Sequence, residues 1–313
     1  MVKFLWMNEN PLPGIQKEHK GKEAVKFDSI PPWKRWTFLF SLFVVLSLFG
    51  PEKSTGEIKD DSIGERFTRE VIKYEVGFRI FFPVGGGEAD FRSLGDGRYM
   101  VFHEGRAQGL AGWITRYRRE VYRSTMATIN NGRRLIPLRF EEYSVIGEWF
   151  RKKTTVYDYA ARKVFIEVEK DGQASREEME IPLGILYDDP VTAFYNFRFG
   201  VYGKVEPGKN FIMRTLPRKG HEIINMNVAS KEETETKRAA EPQKEGKDLF
   251  VRVLLDREMW GRKKGELEIW FNKELVPTSG VVKDIRFFGD IKGKLSYHGF
   301  SNTPRKPDRF VGN

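Results

Sequence analysis

The four histidines of this 313-residue chain, His19, His103, His221 and His298, are the first residues to test for chemistry, since imidazole is a ready general base and metal ligand. They are scattered, and no two stand at helix or strand spacing with a carboxylate nearby, so no metal site is expected. Cysteine is absent, which excludes disulfides, thiolate metal sites and thiol nucleophiles together. Gly85-Gly86-Gly87 lacks the following Lys-Ser or Lys-Thr that grips phosphate and reads as a flexible turn. No Gly-x-Ser-x-Gly elbow occurs, and "HGFSN" around Ser301 is only a distant echo of one. The acid pairs Asp188-Asp189 and Glu141-Glu142 are sequence neighbours, whereas glycosidase carboxylates face one another from separated positions. Nucleophile, base and oxyanion donors do not assemble, so a non-catalytic protein without cofactor or metal is expected.

One stretch does carry a pointed charge. In "DDPVTAFYNFRFG", Asp188 to Gly200, Asp189 suits a helix N-cap, Pro190 the first helical position and Gly200 the stop. Thr192 and Asn196 share one side, and Arg198 falls between Val191 and Phe194 on the apolar side that Phe197 extends. The helix rises about 13.5 Å from Asp189 to Arg198, so these two cannot bridge each other. Arg198 either assists the helix C-terminus with its stem on the apolar face, or points inward to an anionic headgroup or a strand carboxylate such as Asp158.

The elements that would position this helix are strands. Ile72, Tyr74, Val76, Phe78, Ile80 and Phe82 alternate with polar residues, and the strand they predict ends at Pro83 and the glycine run. Similar signals recur in "GDGRYMVF", "IPLRFEEY", "TTVYDY", "KVFIEVEKDG", "FIMRTL", "EIINMNV", "DLFVRVLL", "GELEIWF" and "DIKGKLSY". "LAGWITRYRREVY" places Leu110, Trp113, Ile114, Tyr117 and Val121 at helical spacing. Residues 230–247, "SKEETETKRAAEPQKEGK", read as a solvated excursion between strands. About ten strands and two short helices predict a mainly β fold: one strongly curved antiparallel sheet, or an incomplete β-barrel, packed around a helix. A two-sheet β-sandwich is the alternative.

"WTFLFSLFVVLSLFGP", residues 36–51, is uncharged and follows Lys34 and Arg35. Its reach of roughly 24 Å suits a signal-peptide core or an N-terminal membrane anchor better than a buried helix. Residues 1–35 are then a cytoplasmic tail or a start assigned too early, and the seven Lys and Arg before the segment orient the rest outward. Residues 52–66 form a linker, 67–297 a β-rich exported domain and 298–313 a loose tail. The net charge of +10 comes from 54 basic residues interleaved with 44 acidic ones and carries no nucleic-acid recognition motif, so no nucleic-acid partner is expected. A basic face near anionic lipid accounts for it.

Asp189, Ala193, Phe194, Tyr195 and Arg198, with Tyr74, Pro137, Asp158, Pro207-Gly208, Ile269-Trp270, Pro277 and Gly289, follow in an order that resembles the bacterial envelope family called domain of unknown function 3108. The resemblance covers about residues 68–297, departing in the "NKELVP" loop and in the length of the 230–247 excursion. It implies a periplasmic location and a β-rich fold, with no established activity. The function expected is a cell-envelope protein whose half-barrel holds a lipid or other apolar ligand. Arg198, Phe194, Tyr195, Phe197, Tyr74, Phe78 and Asp158 are its candidate contacts. A membrane-tethered protein-interaction module is the alternative, and an enzyme acting on envelope polymers comes third.

Overall fold

The computed structural model describes residues 62–78, 81–218, 221–243, 245–255, 265–285 and 289–303. The segment Trp36–Pro51, the tail before it and the chain beyond Thr303 lie outside them. The first eight strands are β1 (Glu70–Phe78), β2 (Phe81–Gly95), β3 (Arg98–Ala107), β4 (Arg119–Ile129), β5 (Arg134–Ile146), β6 (Trp149–Asp158), β7 (Lys163–Lys170) and β8 (Gln173–Glu180). Six more follow: β9 (Asn210–Arg218), β10 (His221–Val228), β11 (Leu249–Leu255), β12 (Gly265–Phe271), β13 (Pro277–Ile285) and β14 (Gly289–Phe300). Among the described residues the helices are short: α1 (Ile63–Phe67), α2 (Gly109–Ile114), α3 (Pro190–Phe199) and α4 (Lys231–Ala239).

Among the described residues all fourteen strands belong to one antiparallel sheet in the order β8 to β1, then β14 to β9. Successive hairpins build each half, and β1 pairing with β14, Glu70 opposite Phe300, joins them. The sheet edges β8 and β9 are consecutive in the chain, and the segment between them carries α3.

That helix forces the sheet to curl. Asn196 of α3 hydrogen-bonds the Leu135 backbone on β5, while the Phe197 ring lies 5.4 Å from that of Phe211 on β9. In a flat sheet those strands would stand roughly 48 Å apart at about 4.8 Å per strand, and a helix is only about 10–12 Å across. The sheet therefore wraps around α3, and one hydrophobic core takes Ile72, Leu135 and Val164 from one half and Val251, Leu267 and Val282 from the other. Each large apolar side chain buried there stabilises the fold by about 1.5–3 kcal/mol. The strap between β8 and α3 crosses the opening: Ile181 N–H donates to Arg162 O (2.9 Å) and Asp188 N–H to Arg214 O on β9 (2.8 Å). The result is the single curved, unclosed sheet around a helix that the alternation predicts.

The chain enters and leaves this domain at one end. Ile63 N–H donates to Gly132 O in the β4–β5 turn, and Ser301 N–H to Arg69 O, both at 2.8 Å. The β3–β4 connection with α2 lies at the other end.

Several expectations need correction. Four strands went unread: β2 is glycine-rich, β8 is polar throughout and exposed at an edge, β13 opens on Pro277 and contains Gly280, and the start of β4 resembles a helix. The first strand ends at Phe78, and Gly85 to Gly87 sit inside β2 instead of in a turn. The helix expected over Leu110–Val121 stops at Ile114, because Arg116 and Tyr117 reverse the chain with φ of 57° and 51°. The polar excursion after β10 contains α4, whose Ser230 hydroxyl accepts from Glu233 N–H (3.1 Å), with Glu232 and Glu233 in its first turn and Lys237 and Arg238 in its last.

Candidate functional site

The helix α3 is built as its sequence suggests. The Asp189 carboxylate accepts from the amides of Val191 (2.8 Å) and Thr192 (2.9 Å), Pro190 occupies the first helical position and Gly200 ends the helix at φ 86°. Its second oxygen accepts from Ser124 Oγ of β4 (2.6 Å) and Thr192 Oγ1 (2.8 Å), so the cap also fastens the helix to the sheet. Asn196 substitutes for a strand neighbour: Leu135 N–H donates to its Oδ1 (3.0 Å) and its Nδ2 donates to Leu135 O (2.9 Å). Asp188 accepts from Arg134 (3.1 Å), Tyr202 Oη (2.6 Å) and Asn196 Nδ2 (3.1 Å). Burial lifts the Asp188 carboxyl to about 6 against the pull of Arg134 and Tyr202.

Arg198 points inward, 2% exposed. Its Nη1 and Nη2 each donate to a Glu70 carboxylate oxygen at 2.7 Å, a bidentate pair, and its Nε donates to Leu275 O (2.9 Å). The guanidinium lies over the rings of Phe67 (4.6 Å) and Phe194 (5.2 Å). His298 Nε2 stands 2.9 Å from Glu70 Oε1. Burial pushes the Glu70 carboxyl up, but Arg198 and His298 outweigh it and hold it at about 2. Arg198 thus pairs with a strand carboxylate, Glu70, rather than with Asp158, whose Oδ1 accepts from Ala161 N–H (2.8 Å) in the β6–β7 turn. No local spacing signals a partner 128 residues away.

Phe194, Tyr195 and Phe197 are buried against α1 and the sheet, Tyr195 on Phe67 of α1 (5.0 Å) and Phe91 of β2 (4.8 Å), Phe197 on Phe211 and Phe271. Tyr74 and Phe78 lie farther along β1. The Tyr74 hydroxyl reaches His103 Nε2 (3.0 Å), and its ring crosses Gly87, where a Cβ would stand 1.8 Å from Tyr74 Oη. Gly87 lets that ring pass, whereas a Cβ at Gly85 or Gly86 would meet the backbone oxygens of Arg106 or Tyr74.

Beyond α3 the concave face divides into two chemistries, which sequence reasoning missed because register, not spacing, assembles them. His103, Tyr122, Glu142 and Lys153 stand opposite one another across β3 to β6, and Glu120, Ser144 and Arg151 form the next row. Glu142 and Lys153 pair at 2.7 Å. Arg118 Nε donates to Glu120 Oε1 (2.7 Å), and Ser144 Oγ donates to Oε2 (2.5 Å). Burial, countered by Arg118 and Ser144, raises the Glu120 pKa. The other row is apolar: Phe78, Ile291, Val282, Leu267, Val253, Met226 and Phe211 face one another from β1 through β14 to β9, the last five buried in the core beside α3 and Phe78 and Ile291 half-buried at the row's end. Although Glu142 and Lys153 share a face with buried Tyr122, they keep 13% and 19% side-chain exposure, so solvent reaches this interior. Among the described residues no three His, Asp or Glu side chains are grouped to hold a metal ion.

An unclosed, barrel-like antiparallel sheet around a plugging helix defines the class. Within it, the family model described as "Protein of unknown function (DUF3108)" matches residues 73–296, and the chain belongs to that family. Among solved structures, a β-barrel-like protein of domain of unknown function DUF1849 from Brucella abortus aligns at 10% identity and a TM-score of 0.43. The alignment covers 76% of this chain and 99% of that one. No curated protein matches.

Proposed function

We propose that this is a non-catalytic bacterial envelope protein that binds an amphipathic ligand, a lipid or lipid-linked molecule, on its concave face. One observation carries the reading: a solvent-reached, inward-facing Glu142–Lys153 pair shares that face with Phe78 and Ile291, the half-buried end of an apolar row that continues into the core. A polar headgroup fits the first and an acyl or prenyl chain the second, as in ligand sites that are mostly apolar with a few placed polar groups. Arg198 and α3 then form the floor of the site, their polar atoms already engaged. The envelope placement is supported by the uncharged run Trp36–Pro51, which lies outside the described residues. Among the described residues no helix is long and apolar enough to cross a membrane.

The test is mass spectrometry of organic extracts from the full chain purified out of cell membranes. A stoichiometric lipid is expected in the wild type, reduced several-fold in Phe78→Ser, whose side chain ends the apolar row. Equal lipid in both, or none in either, would overturn the reading. A second reading, a tethered protein-interaction module, draws on Ile212, Ile223 and Leu254, 62%, 45% and 49% exposed beside the edge strand β9. The same preparation decides it: a stoichiometric protein lost in Ile212→Lys, without lipid, would replace the first reading.

A further inference from the structure

The connection from Gly105 to Arg119 holds Arg106, Arg116, Arg118 and Arg119 and no acidic residue. At its tip Trp113, Ile114 and Tyr117 are 70%, 52% and 65% exposed, and β2, on which α2 packs, adds Phe82 at 43%. Large apolar side chains grouped like this on a surface mark an interaction site. The loop is also held in place. Arg116 and Tyr117 adopt left-handed backbone, which is unfavourable for a non-glycine residue. Tyr117 N–H donates to Gly112 O (2.5 Å), Gly147 N–H to Arg116 O (2.9 Å) and Thr115 Oγ1 to Ala111 O (2.7 Å), which fixes that shape.

The charges around the tip decide what it meets. Arg118 turns inward to Glu120, and Arg106 and Arg119 share Glu104 on the outer face. Arg116 is exposed at the tip, and Lys152 lies over the nearby Tyr143 ring. The exposed acids at this rim include Glu148, in the β5–β6 turn that Arg116 contacts, and Asp171 in the β7–β8 turn. At the tip itself the charge is positive, around an apolar point.

We propose that this loop docks the domain onto an anionic lipid bilayer. Trp113 and Tyr117 sit at headgroup level, Ile114 reaches the acyl boundary and the exposed Arg116 meets lipid phosphate. The graded order of aliphatic tip, amphipathic rings and flanking guanidinium matches the polarity gradient of a membrane interface. The proposal stands whether or not the interior holds a ligand.

Because the chain has no cysteine, Ile114→Cys places one environment-sensitive fluorophore (NBD) on the full-length protein. A second labelled variant, Leu94→Cys, reports the opposite end of β2, where Leu94 is 45% exposed. On vesicles of phosphatidylcholine mixed with phosphatidylglycerol, the label at 114 should shift to the blue and be quenched by brominated acyl chains, while that at 94 stays in water. Arg116→Asn keeps a side chain that tolerates the left-handed backbone and should lower the docked-to-undocked ratio about five-fold. The proposal is overturned if the 114 label stays in water, if both labels shift alike, or if Arg116→Asn changes nothing. It is equally overturned if the 114 label is already buried without lipid, which would assign the tip to a second copy or to the chain's own apolar segment.

Discussion

Arg198 and Glu70 are each nearly inaccessible, and the energetics of such a pair are asymmetric. Removing one charge strands the other, at about 3–5 kcal/mol, whereas replacing both by apolar residues costs far less. We therefore expect Glu70→Gln and Arg198→Met each to lower stability by that amount, and the double variant to lose less than their sum in chemical denaturation. The same carboxylates set the pH response. Glu70 titrates near 4.5 when unfolded and about 2 when folded, so its contribution is full above pH 4.5 and lost as pH falls through 2. Asp188 runs the other way: from 3.8 to about 6, it favours the fold below pH 3.8 and loses that contribution as pH rises through 6. Melting temperature from these two groups should peak near about pH 4, with Asp188→Asn flattening the alkaline limb and Glu70→Gln the acid one.

The elements are held by register as much as by propensity, and β2 shows it best. A Cβ at Gly87 would meet Tyr74 Oη at 1.8 Å and Glu104 O at 2.2 Å, whereas at Gly172, φ 78°, nothing lies within 4 Å. Gly87→Ala should cost about 3 kcal/mol and Gly172→Ala about 1, compared by urea unfolding. The two substitutions look alike on paper. Much of the framework was legible in the sequence: alternation in β1, β6 and β7, and the Asp189, Pro190 and Gly200 signals bounding α3, are local patterns. β8 was not legible, because an edge strand exposed on both faces has no apolar face to alternate. Glu70 as the partner of Arg198 was equally hidden, since only the finished curl brings Glu70 on β1 to the C-terminal turn of α3. The polar and apolar rows of the concave face combine residues from many hairpins, and no single window contains them.

At the scale of the molecule, one main core links both halves of the sheet, and only the small cluster of Ala229, Phe250 and Trp270 lies apart from it among the described residues. Unfolding should follow a single transition, with coincident tryptophan fluorescence and circular dichroism curves; two separated transitions would show halves that stand alone. Pairing of Glu70 with Phe300 closes a loop of most of the chain, so folding waits on a contact that local hairpins cannot supply.

That same pairing brings the two ends of the domain to one rim, with α2 at the far rim. A tether attached at either end of the domain would therefore hold it by the rim opposite Trp113 and Tyr117. Bulky tags fused to either terminus should be tolerated, while an insertion in the Asp171-Gly172 turn, which shares the far rim, would stand between the tip and any surface it approaches.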